Sequence, residues 1–312
     1  MELSPLFWPV ALNGKTISVL DETQLPQRLR YLKIKNYSQA VRMIKTMKTR
    51  AIGQVLLVFY TFLLYCQAIK DKKKLFPTLT RIAQSFNTSR PTFPFNFLTD
   101  MVLEWAKDLT KLEEKILAFL EMLREKRIDQ AKEASLLFDD QDSVLTHCNV
   151  SGLLPLIGEF CRQQKKSLRF FVTETRPYFQ GSRLTAWELE RAGFNVTIIP
   201  DSAVAQIFAE GLVNKVITGA DQLAINGDIA NKIGTYQIAL LAKNFGIPFY
   251  VLVPPPSKAR TGKDITIEIR PDKELLTIGG QRIAPRRVKG YYPAFDITPA
   301  DLITKHIYLR IP

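Results

Sequence analysis

Between residues 143 and 253 the chain alternates short apolar runs with helical patterns, and this rhythm constrains the fold more than any other feature. Strand candidates fall at 143–146, 168–173, 195–199, 215–218 and 248–253, with helical patterns at 152–164, 183–192, 202–210 and 228–244 between them. The run at 215–218 reads as a buried parallel strand. Strands of this kind separated by helices predict an α/β fold with a Rossmann-like, doubly wound parallel sheet. No Gly-x-Gly-x-x-Gly follows the first strand, so a dinucleotide is not expected.

The first half reads differently. After a short β-like start at 15–20 and a turn at Leu25-Pro26, helical periodicity runs through 38–47, an apolar stretch, and 99–126, with Pro77, Pro91 and Pro94 marking connections. Two domains follow: a mostly helical N-terminal domain, 1–130, with its short β start, and a Rossmann-like α/β catalytic domain, 131–312. The stretch 51–69 carries no charge and approaches the roughly 18 residues of a membrane span. Gly53, Gln54, Thr61 and Gln67 interrupt it and lysines flank both ends, which predicts a buried core helix and no membrane contact.

Charge narrows the partners. The net charge of +13, from 43 basic and 30 acidic residues, favours anions. Aromatic and basic residues are not interleaved as in single-strand binders, so phosphorylated metabolites are expected rather than nucleic acid. With only Cys66, Cys148 and Cys161, and His147 and His306, neither a metal site nor a disulfide framework is expected. The thiols and an N-terminus without signal-peptide features point to the cytoplasm.

Polar motifs directly follow the strands: Thr146-His147-Cys148-Asn149, Glu174-Thr175-Arg176-Pro177, Pro200-Asp201-Ser202 and Gly219-Ala220-Asp221. In an open α/β sheet, ligands bind at this edge. Asp221 is the candidate acid or base, its alternative being a helix cap; Asp228 suits the cap better, ahead of the 229–244 pattern. A cleft shielded from water would raise the Asp221 carboxyl into a useful range. Cys148 is either a small buried hydrophobe or a thiolate favoured by the helix that begins after it. Asn231 and Lys232, read as the first turn of a helix, would face the sheet edge and a phosphate. Arg50, Arg90 and Gln180 are further candidates for an anion or a sugar hydroxyl, and each is also compatible with ordinary surface.

Taken together, these residues resemble the methylthioribose-1-phosphate isomerase family, which is related to ribose-1,5-bisphosphate isomerase and to the regulatory subunits of eukaryotic initiation factor 2B. The resemblance runs from Val19-Leu20-Asp21-Glu22-Thr23-Gln24-Leu25-Pro26 through Ser89-Arg90-Pro91-Thr92, Thr146-His147-Cys148-Asn149 and the segment 174–189. It continues through 220–235 to Pro293-Ala294-Phe295-Asp296-Ile297-Thr298-Pro299. It implies a homodimeric, cytoplasmic isomerase of methionine salvage that converts the aldose phosphate to methylthioribulose 1-phosphate without metal or organic cofactor. It further implies Asp221 as the acid that opens the ring and Cys148 as the partner in moving hydrogen between C1 and C2. Arg50, Arg90, Gln180, Asn231 and Lys232 would hold phosphate and sugar. The chain departs from the family at Arg50-Ala51-Ile52-Gly53, where the family's Arg-Gly-Ala-Pro-Ala-Ile-Gly is shortened. It departs again at Val150-Ser151-Gly152 and at Gln222-Leu223. Another ribose 1-phosphate, such as ribose 1,5-bisphosphate, or a non-catalytic binding role like that of the initiation-factor subunits, are the alternative readings.

Overall fold

A computed structural model describes residues 2–90, 93 and 95–311. The chain divides into two compact units, Leu3–Glu125 and Lys126–Pro312, the latter joined by the first two residues. In the first, β1 (Val10–Asn13), β2 (Thr16–Leu20) and β3 (Tyr31–Ile34) pair as an antiparallel sheet in that order. Then come α1 (Tyr37–Lys45), α2 (Ile52–Ala68), α3 (Lys72–Asn87), α4 (Phe95–Trp105) and α5 (Leu112–Ser135), which crosses into the second unit.

The apolar stretch is α2, and it is a core helix as its interrupted pattern predicts. Leu56, Leu57, Val58, Phe59 and Phe62 are all inaccessible, and Phe59 stacks on Phe119 with centroids 4.5 Å apart. Among the described residues no helix is long and apolar enough to cross a membrane. Helix α3 corrects the sequence reading. Pro77 lies inside it instead of marking a connection, because Leu75, Leu79, Ile82, Ala83 and Phe86 form one buried face. Packing of that face outweighs the missing proline N–H. Asp71 starts the helix by accepting the Lys73 N–H at 2.9 Å. Pro91 and Pro94 lie outside the described residues.

The second unit contains β4 (Ser143–Thr146), α6 (Leu153–Gln163), β5 (Arg169–Thr173), α7 (Ala186–Arg191), β6 (Asn195–Ile199), α8 (Val204–Ala209) and β7 (Lys215–Gly219). It continues with β8 (Gln222–Leu223), β9 (Ile229–Lys232), α9 (Thr235–Phe245), β10 (Phe249–Val253) and α10 (Asp272–Leu276). Last come β11 (Thr277–Ile278), β12 (Gln281–Arg282), β13 (Phe295–Thr298) and β14 (Lys305–Tyr308). Six strands form a parallel sheet in the order β14-β10-β7-β4-β5-β6. The sixth, β14, is absent from the sequence reading. Its residues, Lys305-His306-Ile307-Tyr308, include only one aliphatic side chain, so it shows no apolar run.

Strand β4 is the origin of two excursions. The chain leaves it toward β5 and β6, then returns to β7 on its other side. This reversal is a topological switch point, where adjacent loops part and leave a crevice. The end of α5 is fixed to the same sheet, since Gln130 Nε2 donates to the carbonyls of Val253 at 3.1 Å and Ile307 at 2.8 Å.

One predicted helix is shortened by a small sheet. The pattern at 228–244 contains strand β9, which pairs antiparallel with both β8 and β13, and α9 begins only at Thr235. Gly227 and Gly234, at φ +92° and +105°, turn the chain at the two ends of β9. The pairing partner β13 lies more than 60 residues away, so local periodicity carried no sign of it.

Candidate active site

Cys148 and Asp221 follow β4 and β7, the neighbouring strands that flank the switch point. Strands so paired run about 4.8 Å apart. The two residues therefore share one sheet edge, although they are distant in sequence.

The backbone at Cys148 is held in an unusual shape. Its φ is +66°, a left-handed conformation that costs a non-glycine residue about 1 kcal/mol or more. Two threonines from other segments hold it there. Cys148 N–H donates to Thr175 Oγ1 at 3.0 Å, and Thr185 Oγ1 donates to the Cys148 carbonyl at 2.5 Å. The next residue, Asn149, donates to Thr185 Oγ1 at 3.0 Å and to buried Glu188 at 2.8 Å. Arg127 Nη2 donates to the Ser151 carbonyl at 2.7 Å. Burial pushes the Arg127 guanidinium down to about 10, against the attraction of Glu188. The cysteine is a half-buried thiol on a backbone fixed from both sides.

His147 lies beneath it, 2% exposed. Its Nε2 is 2.9 Å from the Ile233 carbonyl, which can only accept, so Nε2 carries the hydrogen. Nδ1 then accepts from Thr173 Oγ1 at 2.6 Å. Burial holds the imidazole down to about 4, despite the carboxylate of Asp201, and the ring is neutral near pH 7. It ties together the ends of β4 and β5 and the turn before α9. Gly234 is needed in that turn, because a Cβ there would stand 3.2 Å from the His147 ring.

The loop after β5 is equally constrained. Asp201 accepts the backbone N–H groups of Thr175 and Arg176, both at 2.7 Å. Residues Gly181–Thr185 then form a π-type turn that runs directly into α7. Such turns recur at functional sites. Gly181 packs on the last residue of β5, and a Cβ would fall 1.8 Å from the Thr173 carbonyl oxygen. Gln180, which precedes the turn, is 7% exposed, and its Oε1 has no hydrogen-bond partner among the described residues. A buried acceptor of that kind marks a place where a ligand or water can donate.

Asp221 departs from the sequence expectation, for its side chain is exposed rather than enclosed. Its backbone N–H donates to the Ala230 carbonyl at 2.9 Å, which fixes it beside β9. Asn231 and Lys232 lie on that strand and not in a first helical turn, and both are buried. Asn231 Nδ2 donates to Thr235 Oγ1 at 2.9 Å, and the Lys232 ammonium donates to the Tyr292 hydroxyl. The expected cap, Asp228, serves another purpose. It accepts from Asn226 and from the N–H groups of Gly262 and Ala300 at 2.9–3.0 Å. Burial pushes its carboxyl up, but these bonds outweigh burial and hold it low. The start of α9 is instead served by Asp296 of β13, which accepts from Gly234 N–H at 2.7 Å and Tyr236 N–H at 3.1 Å. Burial raises the Asp296 carboxyl to about 6, despite those donors and nearby Lys232.

Arg50 and Arg90 belong to the first unit, whereas the other candidates belong to the second. Arg50 is anchored to buried Glu22, donating from its backbone N–H at 2.9 Å and from Nε at 3.1 Å. Ala51, where the sequence is shortened, has φ +44° and leads into α2. The Arg90 guanidinium stands 6.0 Å from the Phe93 ring, and Pro91 and Thr92 lie outside the described residues. The described residues hold no group of three or more metal-ligating side chains.

Sequence reasoning passed over Thr175, Thr185, Tyr292 and Asp296. The last two sit in or beside the Pro293–Pro299 motif, which gave a family signal without a chemical role. The threonines look like ordinary helix and loop hydroxyls until the fold brings them to Cys148.

Comparisons with known proteins agree with this architecture. Residues 52–308 match the initiation factor 2 subunit family model. Methylthioribose-1-phosphate isomerase of Thermosipho africanus is 37% identical over 94% of this chain and 90% of its own. The crystal structure of 5-methylthioribose 1-phosphate isomerase from Pyrococcus horikoshii OT3 superposes with a TM-score of 0.84 at 29% identity, covering 97% of this chain and 91% of that one. The delta subunit of translation initiation factor eIF-2B from A. fulgidus superposes with a TM-score of 0.83 at 32% identity, covering 97% and 94%. A parallel sheet switched between β4 and β7, an N-terminal helical unit and full-length similarity to both kinds of relative lead to one conclusion: the chain belongs to the initiation factor 2 subunit family.

Proposed function

We propose that the protein is an aldose–ketose isomerase that converts 5-methylthioribose 1-phosphate to 5-methylthioribulose 1-phosphate in methionine salvage, in the cytoplasm and as a homodimer. The observation that carries the reading is the locked backbone of Cys148 at the switch point, across from Asp221, in a chain 37% identical to a methylthioribose-1-phosphate isomerase. A purely structural cysteine needs no left-handed backbone held by two hydroxyls. Such strain is retained where geometry serves chemistry.

The substrate sets the chemical problem. A phosphate on the anomeric oxygen prevents the ring from opening spontaneously, so the ring oxygen must be protonated as its bond to C1 breaks. Asp221 supplies that proton. The hydrogen on C2 moves to C1, the 2-hydroxyl gives up its proton, and C2 becomes the carbonyl. Atoms balance without an oxidant or a second substrate. Cys148 flanks C1 and C2 during the transfer. Bound sugar would cover Asp221 and exclude water from it, favouring the protonated acid. Lys232 and Asn231 meet the phosphate and the sugar hydroxyls. Gln180 Oε1 accepts from a sugar hydroxyl.

Purified protein is expected to form the ketose without added metal. Cys148→Ser and Asp221→Asn should each reduce kcat by about a thousandfold or more while leaving the fold intact. Full activity in both variants would refute the assignment. The similarity to the initiation-factor delta subunit supports a second reading, a non-catalytic binding protein. Complete inertness of folded wild type toward both methylthioribose 1-phosphate and ribose 1,5-bisphosphate, with stable co-purification of a protein partner, would favour that reading. Turnover of the bisphosphate alone would reassign the substrate.

A further inference from the structure

Tyr292 lies between β12 and β13, just before the strand that pairs with β9, and is 4% exposed. Its hydroxyl accepts from the Lys232 ammonium, and that nitrogen stands 4.6 Å from the centroid of the same ring. The contact is made by the hydroxyl oxygen, beyond the rim of the ring. The phenol is rigidly placed. Its carbonyl accepts from Arg270 N–H at 2.9 Å, Pro293 bridges to Ile269, and Ala294 N–H donates to the Glu268 carbonyl at 2.8 Å. The Arg270 side chain reaches Glu268 at 2.8 Å and Tyr178 Oη at 3.0 Å, the latter in the loop after β5.

We propose that Tyr292 is a positioning residue for the anion site, its hydroxyl aiming the Lys232 ammonium at the phosphate of a bound sugar phosphate. The proposal rests on the sugar-phosphate reading above, and extends it to a residue that touches the cation rather than the reacting atoms. Lysine is flexible, and a buried ammonium that meets an anion gains when its orientation is fixed beforehand. A phenol suits the task because it accepts a hydrogen bond without neutralising the charge. Burial, with Glu274, Tyr178 and Cys148 nearby and Arg270 opposing them, keeps that phenol protonated well above its usual range. Asp296, the carboxyl whose titration feels Lys232, is already engaged by two N–H groups at the start of α9.

The test is a double-mutant cycle on the full chain with inorganic phosphate as probe, read by calorimetry. Tyr292→Phe keeps the ring and removes the oxygen. It is expected to weaken phosphate binding about tenfold, the usual scale for a hydrogen bond to a charged group. KM for methylthioribose 1-phosphate should rise in parallel, with kcat within about twofold of wild type. In a Lys232→Met background the same change should have no further effect on phosphate affinity. Unchanged affinity in Tyr292→Phe would overturn the proposal, as would an equal loss in both backgrounds, which would reveal a packing effect. The binding arm does not depend on turnover. If wild type binds phosphate with this coupling but isomerises nothing, the substrate assignment fails and the role of Tyr292 stands.

Discussion

At the scale of single residues, the backbone and the imidazole at the end of β4 are held by groups from several other segments. Cys148 is left-handed because Thr175 and Thr185 hold its N–H and carbonyl, and His147 beneath it is neutral because burial outweighs Asp201. The histidine makes stability depend on pH in a defined direction. Its folded value of about 4 lies below the ordinary imidazole value of 6.5. The unfolded chain therefore takes up the proton first as pH falls, and stability present above about pH 6.5 is lost on the way to pH 4. His147→Gln retains a donor for the Ile233 carbonyl and removes this titration. Between about pH 7.5 and about pH 5, wild type should lose about 2 kcal/mol more than the glutamine variant in urea unfolding. Equal losses would show that His147 is not neutral in the fold. The comparison cancels Asp296, whose raised carboxyl acts in the opposite sense between about 4 and about 6.

At the scale of elements, close packing between segments decides local shape. The π-type turn after Gln180 exists because Gly181 lets the chain pass directly over the end of β5. Gly181→Ala would press a methyl group against a backbone carbonyl, which cannot rotate away as a side chain could. A loss of about 3 kcal/mol or more is expected, with a lower melting temperature and weaker catalysis, since Gln180 and Thr185 move with the turn. An unchanged melting temperature would mean that the turn adapts. The same scale explains two misread segments. Pro77 reads as a break in sequence, but α3 has a buried face long enough to carry it. Residues 229–232 read as the start of a helix, but β13 claims them as a strand, and Lys232 with Asn231 is buried as a result.

At the scale of the molecule, net charge and topology are the governing quantities. A charge of +13 attracts anionic substrates over distances beyond contact, and salt weakens that attraction. Raising sodium chloride from about 0.02 M to about 0.3 M should raise KM for the sugar phosphate about two- to fivefold with kcat little changed. A flat KM would leave the charge without a role in substrate capture. Much of the architecture was legible in the sequence. Five of the six parallel strands, the core helix α2 and the motifs at strand ends all follow from apolar runs and their periods, which are local properties of the chain. The same strand ends place Cys148 and Asp221 at one edge from pattern alone.

Other features depended on residues brought together from far along the chain. The edge strand β14, Lys305-His306-Ile307-Tyr308, is too polar to announce itself, and β9 becomes a strand only because β13 returns to pair with it. The hydroxyls that lock Cys148 come from 27 and 37 residues away, and Tyr292 reaches Lys232 across 60. The sequence by itself determined the parallel α/β framework and which side chains could do chemistry, because both are written in short-range pattern and residue type. Tertiary structure alone decided which of them are strained, buried and aimed, because hydrogen bonding and desolvation depend on neighbours that no local pattern specifies.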